Sequence, residues 1–232
     1  WPLFVNRLLR TKLHVVLTGS NAKLLSNDLA THLTGRSSEI PLFPFSFEEY
    51  CQIKDVTTQA LTTKEIALCR TSFDQYMRQG GFPELLLIKN HRQYISNLVS
   101  NVLKRDIEQR YNISYPANFE NMANHLLNIS PVVPAISELA ETFGFKSTHT
   151  VRNYIDYLKQ AYLLVGVKKF SAKSRTRITQ EKLYAIDVAM MNKRENAFAG
   201  ENLGWRLLLR RPQREGRRHN IKGWQHVAQE YA

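Results

Sequence analysis

The sequence predicts an α/β opening followed by a mainly α-helical remainder, and three observations carry this. Leu13–Thr18 is a short apolar, β-branched run of the kind that forms a buried parallel strand. Gly19, Ser20 and Asn21 then make a tight polar corner, after which Leu24, Leu25, Leu29 and Leu33 fall on one face of a helix that Gly35 can close. Beyond residue 46 apolar residues recur at helical spacing, and only Leu163–Phe170 and Lys182–Ile186 read as strands. A strand, a polar corner and a helix place small polar side chains where open α/β sheets bind ligands. Ordinary βα architecture has the same pattern. A complete phosphate loop, Gly-x4-Gly-Lys-Ser/Thr, occurs nowhere in the chain.

The totals narrow the function classes. No apolar run approaches the ~20 residues that span a bilayer, and no signal peptide is visible, so no membrane partner and a cytoplasmic setting are expected. Cys51 and Cys69 lie in predicted helices without a partner motif and read as reduced thiols. The histidines lack ligand spacing, so no metal site is predicted. The net charge of +12 suggests an anionic partner, nucleic acid or nucleotide. Residues 206–232 hold seven basic and two acidic residues, so +5 of that charge sits in the last stretch.

In chain order, residues 1–12 read as the end of an amphipathic helix. Ile40–Phe45 is extended and broken by Pro41 and Pro44; Ser46 can cap a helix whose first turn carries Glu48 and Glu49. A helix is predicted from about Lys64 to Gln79, then a Gly80-Gly81-Phe82-Pro83 corner whose small residues permit close backbone approach. A long helix follows from about Arg92 to Gln109. Phe119, Met122, Ala123, Leu126 and Leu127 line the next helix, which Ser130-Pro131 stops. Ile136, Leu139, Ala140 and Phe143 line another, ended by Gly144. Ser147 can cap a third, with Val151, Tyr154, Ile155 and Leu158 on one face.

Three helices and a β-hairpin make the winged helix-turn-helix pattern. In it the third helix would present Lys146, His149, Arg152 and Asn153, and the hairpin and its loop would add Lys168, Lys173 and Arg175. Such cations neutralise phosphates, and an Arg or Asn near a recognition-helix start can reach base edges. Winged helices also serve to dock other domains, so the fold alone does not decide.

Taken together, VVLTGSNAKLL, HLTGR, PLFPFSFEEY, RQGGFPELL and the helical stretch ending in KLYAIDVAMMN resemble one family over residues 1–209. It is the prokaryotic AAA+ type ATP-binding proteins, whose C-terminal domain carries a winged helix and a restriction-endonuclease-like part. The resemblance implies a partial P-loop NTPase core at 1–45 and a helical lid and linker at 46–112. It further implies a winged helix-turn-helix at 113–186, the start of a nuclease-like domain at 187–209, and a non-native or disordered basic tail at 210–232.

It also implies roles. Ser20 and Asn21 would stand beside the γ-phosphate and orient the attacking water, and Arg36 would sense or stabilise phosphate charge, with action across a subunit contact of a homo-oligomer as one option. Gly81, Phe82 and Pro83 would pack against the nucleotide, and Glu201 would be a remnant of the nuclease-like site. The family binds ATP with Mg. Its phosphate loop and acidic, magnesium-binding strand would precede Trp1, and no Asp and Glu-x-Lys follow Glu201. The expected function is therefore a truncated AAA+ ATPase fragment that holds no nucleotide tightly and does not hydrolyse ATP alone. The alternatives are a winged-helix DNA-binding regulatory module and the non-functional product of a disrupted gene.

Overall fold

A computed structural model describes residues 2–11, 13–19, 40–59, 61–168 and 181–191. Among them the chain is mostly helical with one two-stranded sheet. Helix α1, Pro2–Arg10, buries Val5 against Leu9 and Val15 in a small cluster apart from the main core. The expected strand at Leu13–Thr18 does not form: residues 13–19 carry no regular structure, and Val16 is 86% exposed. The physical reason is that a parallel strand is held by ladders to neighbouring strands, and no described strand lies beside it. The α/β part of the expected fold is thus not built by the described residues, while residues 20–39 lie outside them.

The helical part follows its capping signals. Helix α2, Phe47–Ile53, starts with a full capping box: Glu49 N donates to Ser46 Oγ (3.2 Å), and Glu49 Oε2 accepts from Ser46 N (2.8 Å). Helix α3, Thr63–Gln79, repeats the device with Thr62 and Glu65. A 3-10 turn at Pro83–Leu86 opens on Pro83 as expected. Cys51 in α2 and Cys69 in α3 are both free thiols, and burial, with the charge of Cys69 second, pushes the Cys51 pKa up to about 11. That suppresses the reactive thiolate of Cys51.

Helix α4, His91–Asn101, runs into a π-helical segment at Val102–Glu108 and a closing α-helical turn at Gln109–Tyr111. The predicted helix is therefore interrupted, and the spacing explains it. The buried residues Ile95, Val99, Leu103 and Ile107 recur every fourth position. An α-helix of 3.6 residues per turn drifts past that spacing, and the wider π turn returns Leu103 and Ile107 to the core.

In the same segment Glu108 has Oε1 buried and without a hydrogen-bond partner. Burial pushes its pKa up, the neighbouring charge and hydrogen bond of Glu120 add to this, and Lys104 opposes it. With the native pKa above the unfolded one, the folded state binds this proton more tightly. The contribution to stability is complete below the unfolded carboxylate pKa and is lost as pH rises through the raised value. Glu108→Gln, which fixes the neutral form, should accordingly raise the thermal midpoint at about pH 8 and change it little at about pH 4. A midpoint at pH 8 below that of the parent chain would contradict this.

Helices α5 (Pro116–Asn128), α6 (Ile136–Thr142) and α7 (Thr148–Gln160) lie where the apolar spacing puts them, and the five residues that predicted α5 are all buried. Gly144 closes the α6 turn at φ +70°. Strand β1, Leu164–Lys168, pairs antiparallel with β2, Glu181–Ala185, in a register that sets Leu164 opposite Ala185 and Lys168 opposite Glu181. Val132, between α5 and α6, pairs with Leu183 on the other side of β2 (2.9 and 2.7 Å). The buried Ser130 Oγ accepts from Ala185 N (2.6 Å).

At the far end of α7, Lys159 pairs with Glu181 of β2 (2.8 Å) and with Asp156 (3.0 Å), which fixes the hairpin to the helix. Burial lowers the pKa of this ammonium, but the two carboxylates outweigh it and hold it above the ordinary lysine value. One continuous core joins α2–α4 to α5–α7 and the hairpin, with Tyr50, Tyr76, Leu103, Phe119, Leu158 and Leu183 in a single cluster. No helix among the described residues is long and apolar enough to cross a membrane.

Candidate functional site

Two places collect the residues that the sequence singles out. The first is the outward side of α7. Val151, Tyr154, Ile155 and Leu158 face the core, which leaves the opposite side polar. The Ser147 side chain caps the helix start by accepting from His149 N (3.1 Å). Lys146, His149 and Arg152 are exposed there, and Asn153 is half-buried with its amide 3.2 Å from His149 Nδ1. Lys168 stands exposed at the end of β1. Among the described residues none of Lys146, Arg152 and Lys168 is in an ion pair. Lys173 and Arg175 belong to residues 169–180, outside the described ones. The helix cap and the buried face thus bring four predicted residues to the start of α7, and the hairpin is tied to the helix at Lys159.

The second place is the glycine corner between α3 and the Pro83–Leu86 turn. Gly80 adopts φ +84°, and a Cβ there would overlap Asp187 Oδ1 and lie 2.5 Å from the Ala189 side chain. At Gly81 a Cβ would overlap the Phe45 carbonyl oxygen and sit 3.0 Å from the Tyr76 hydroxyl. The close approach that the paired glycines predicted is real, and its partners are protein groups.

Hydrogen bonds fix the corner on every side. Gly80 N donates to Tyr76 O (2.7 Å), and Phe45 N donates to Gly81 O (2.6 Å). The Tyr76 hydroxyl donates to Phe45 O (2.6 Å). The fully buried Asp187 accepts from Gly81 N (3.0 Å) and Ala189 N (2.8 Å). Phe82 is half-buried and Pro83 exposed. The Gly81 amide is committed to Asp187. Ser20, Asn21, Arg36 and Glu201 lie outside the described residues.

Sequence reasoning passed over Asp187 and Glu108. Asp187 carried a usable signal: an acid just before Val-Ala-Met is well placed to cap a short turn, and its side chain does cap Val188–Met190. The partnership of Asp187 with Gly81, 106 positions earlier, has no local signature.

Comparison with known proteins gives two family matches. Residues 1–51 match the family described as AAA domain, a relationship to AAA-like ATPases. An uncharacterized protein of Methanocaldococcus jannaschii is 30% identical over 195 residues, covering 81% of this chain and 44% of the relative. An uncharacterized protein of Haemophilus influenzae is 27% identical over 226 residues, covering 91% of this chain and 55% of the relative. The chain therefore spans about half the length of the curated relatives it matches. No solved structure matches it. Residues 70–200, which take in the glycine corner, the π segment, α5–α7 and the hairpin, match the family described as Domain of unknown function (DUF8612). That is more than half of the 232 residues, and the chain belongs to this DUF8612 family.

Proposed function

We propose that this chain is the DNA-engaging and phosphate-sensing part of an AAA-type ATP-binding protein, with residues 113–186 acting as a winged helix-turn-helix. The observation that carries the reading is the two-sidedness of α7. Its apolar side is buried, and its capped start presents Lys146, His149 and Arg152 to solvent, while Lys168 is exposed at the end of β1. The order of α5, Val132, α6, α7, β1 and β2, with Val132 bridged to β2, supports a winged helix. In this reading Lys146, Lys168, Lys173 and Arg175 neutralise phosphates, while His149, Arg152 and Asn153 lie over the major groove.

A duplex titrated with the full chain should show affinity falling steeply with salt. Arg152→Ala and Lys173→Ala should each weaken binding and lower the salt slope by about 1. A salt-independent signal, or none on any duplex, would remove this role.

In this reading Ser20 and Asn21 would stand beside the γ-phosphate and Arg36 would sense or stabilise phosphate charge, within a homo-oligomer if it works in trans. Gly81-Phe82-Pro83 would back the nucleotide from the lid side. ATP and Mg belong to the wider family, and this chain offers neither a Gly-x4-Gly-Lys-Ser/Thr loop nor a free Gly81 amide. Calorimetric titration of the chain with Mg-ATP should show weak binding or none, and tight binding would contradict the assignment. Residues 187–209, with Glu201, are proposed as the start of a nuclease-like domain, and 210–232 as a basic tail foreign to it.

A further inference from the structure

A trough of about 830 Å³ lies between α4 with its π extension on one side and α5 with the Val188–Met190 turn on the other. It adjoins the glycine corner, sharing Ala189 with it, and lies away from the outward side of α7. Its floor is apolar, with Val99, Leu127 and Met190 buried beneath it. Its walls are polar: Ser96 and Ser100 line one, and Asn124 the other.

The two ends differ in charge. Arg78, from the end of α3, and Arg92, from the start of α4, are exposed at one end and pair with no carboxylate among the described residues. At the other end Glu120 lies 3.9 Å from Lys104. From Arg92 to Leu103 the helix rises ~16 Å at 1.5 Å per residue. That length takes roughly five residues of extended peptide.

We propose that this trough receives an extended peptide segment of a partner protein, with an acidic side chain at its arginine end and apolar side chains over the floor. Guanidinium groups bind carboxylates through paired N–H donors. An Asn side chain offers both a donor and an acceptor, which matches a peptide group. The methionine can adapt its shape to differing side chains. Single-stranded nucleic acid fits less well, because base binding relies on aromatic stacking and no Phe, Tyr or Trp lines the trough.

The test is a cellulose-bound array of random dodecapeptides probed with the full chain, to which tiles of residues 192–232 are added. Bound sequences should be enriched in Asp or Glu next to aliphatic residues. Arg78→Glu combined with Arg92→Glu should reduce the signal at least tenfold, and Asn124→Leu should weaken it separately. Circular dichroism should show the parent spectrum in both variants, since all three residues are exposed. The inference fails if no peptide binds, if basic peptides bind as well as acidic ones, or if charge reversal leaves the signal intact. It also fails if tiles from 192–232 bind best, which would give the trough to the chain itself, or if single-stranded DNA displaces the peptides. The duplex titration with Arg152→Ala addresses a different surface, so the two outcomes are independent.

Discussion

Gly80→Ala should cost about 3 kcal/mol or more of folding stability, the largest effect expected of any single methyl group added here. Two costs combine. The φ of +84° excludes an L side chain whatever the space, and the new Cβ would overlap Asp187 Oδ1 beside the Ala189 side chain. Neither obstacle is the free end of a long, mobile side chain: one is a buried, hydrogen-bonded carboxylate and the other a Cβ on a tight turn. Gly81→Ala should be nearly as damaging, because its Cβ would meet the Phe45 carbonyl, a backbone atom that also accepts from Tyr76. Chemical denaturation checks both. A loss below about 1 kcal/mol at Gly80 would mean that the corner relaxes and is not the fixed joint described here.

Asp187→Ala should cost about 2–4 kcal/mol, because it leaves the amides of Gly81 and Ala189 without their charged acceptor in a buried place. The loss should be felt at two distant points of the chain. Hydrogen exchange should accelerate at Gly81 and at Ala189 together, with less change at Leu126 in the middle of α5. Asp187→Asn keeps one carbonyl oxygen as acceptor and turns its amide NH2 toward the other donor, so it should restore part of the stability and protection. Equal protection at Gly81 in the parent and the Ala variant would show that the amide is held by something else.

These two predictions give a physical reason for the sequence pattern itself. PLFPF, RQGGFP and YAIDVA are far apart in the chain and individually unremarkable. Through Phe45, Gly80, Gly81 and Asp187 they meet at one joint. The spacing of Val151, Tyr154, Ile155 and Leu158 was enough to place α7 and its polar side, since helix amphipathicity is a local property. Ser46 was legible as a cap, and Thr62, in a stretch that reads as a loop, carries the same signal, because a capping box is complete within four residues.

What was not legible depends on partners. Leu13–Thr18 has strand composition, but a strand exists only in a ladder, and none is supplied by the described residues. The four-residue step of Ile95, Val99, Leu103 and Ile107 was visible but easily taken for an ordinary helix; only the packed core shows that it demands a π segment. Asp187 reads as one more surface acid until Gly81 is placed beside it. The candidate DNA surface was half legible: helical spacing places Lys146, His149 and Arg152, while Lys173 and Arg175 lie outside the described residues.

Backbone amide shifts of the full chain, followed as a duplex is added at low salt, test the central claim most directly. The account predicts that Lys146, His149, Arg152 and Lys168 move together, and that Arg78, Arg92 and Asn124 in the trough stay where they are. Shifts confined to the trough or to α1, or none at all, would contradict the assignment of α7 and its hairpin to DNA.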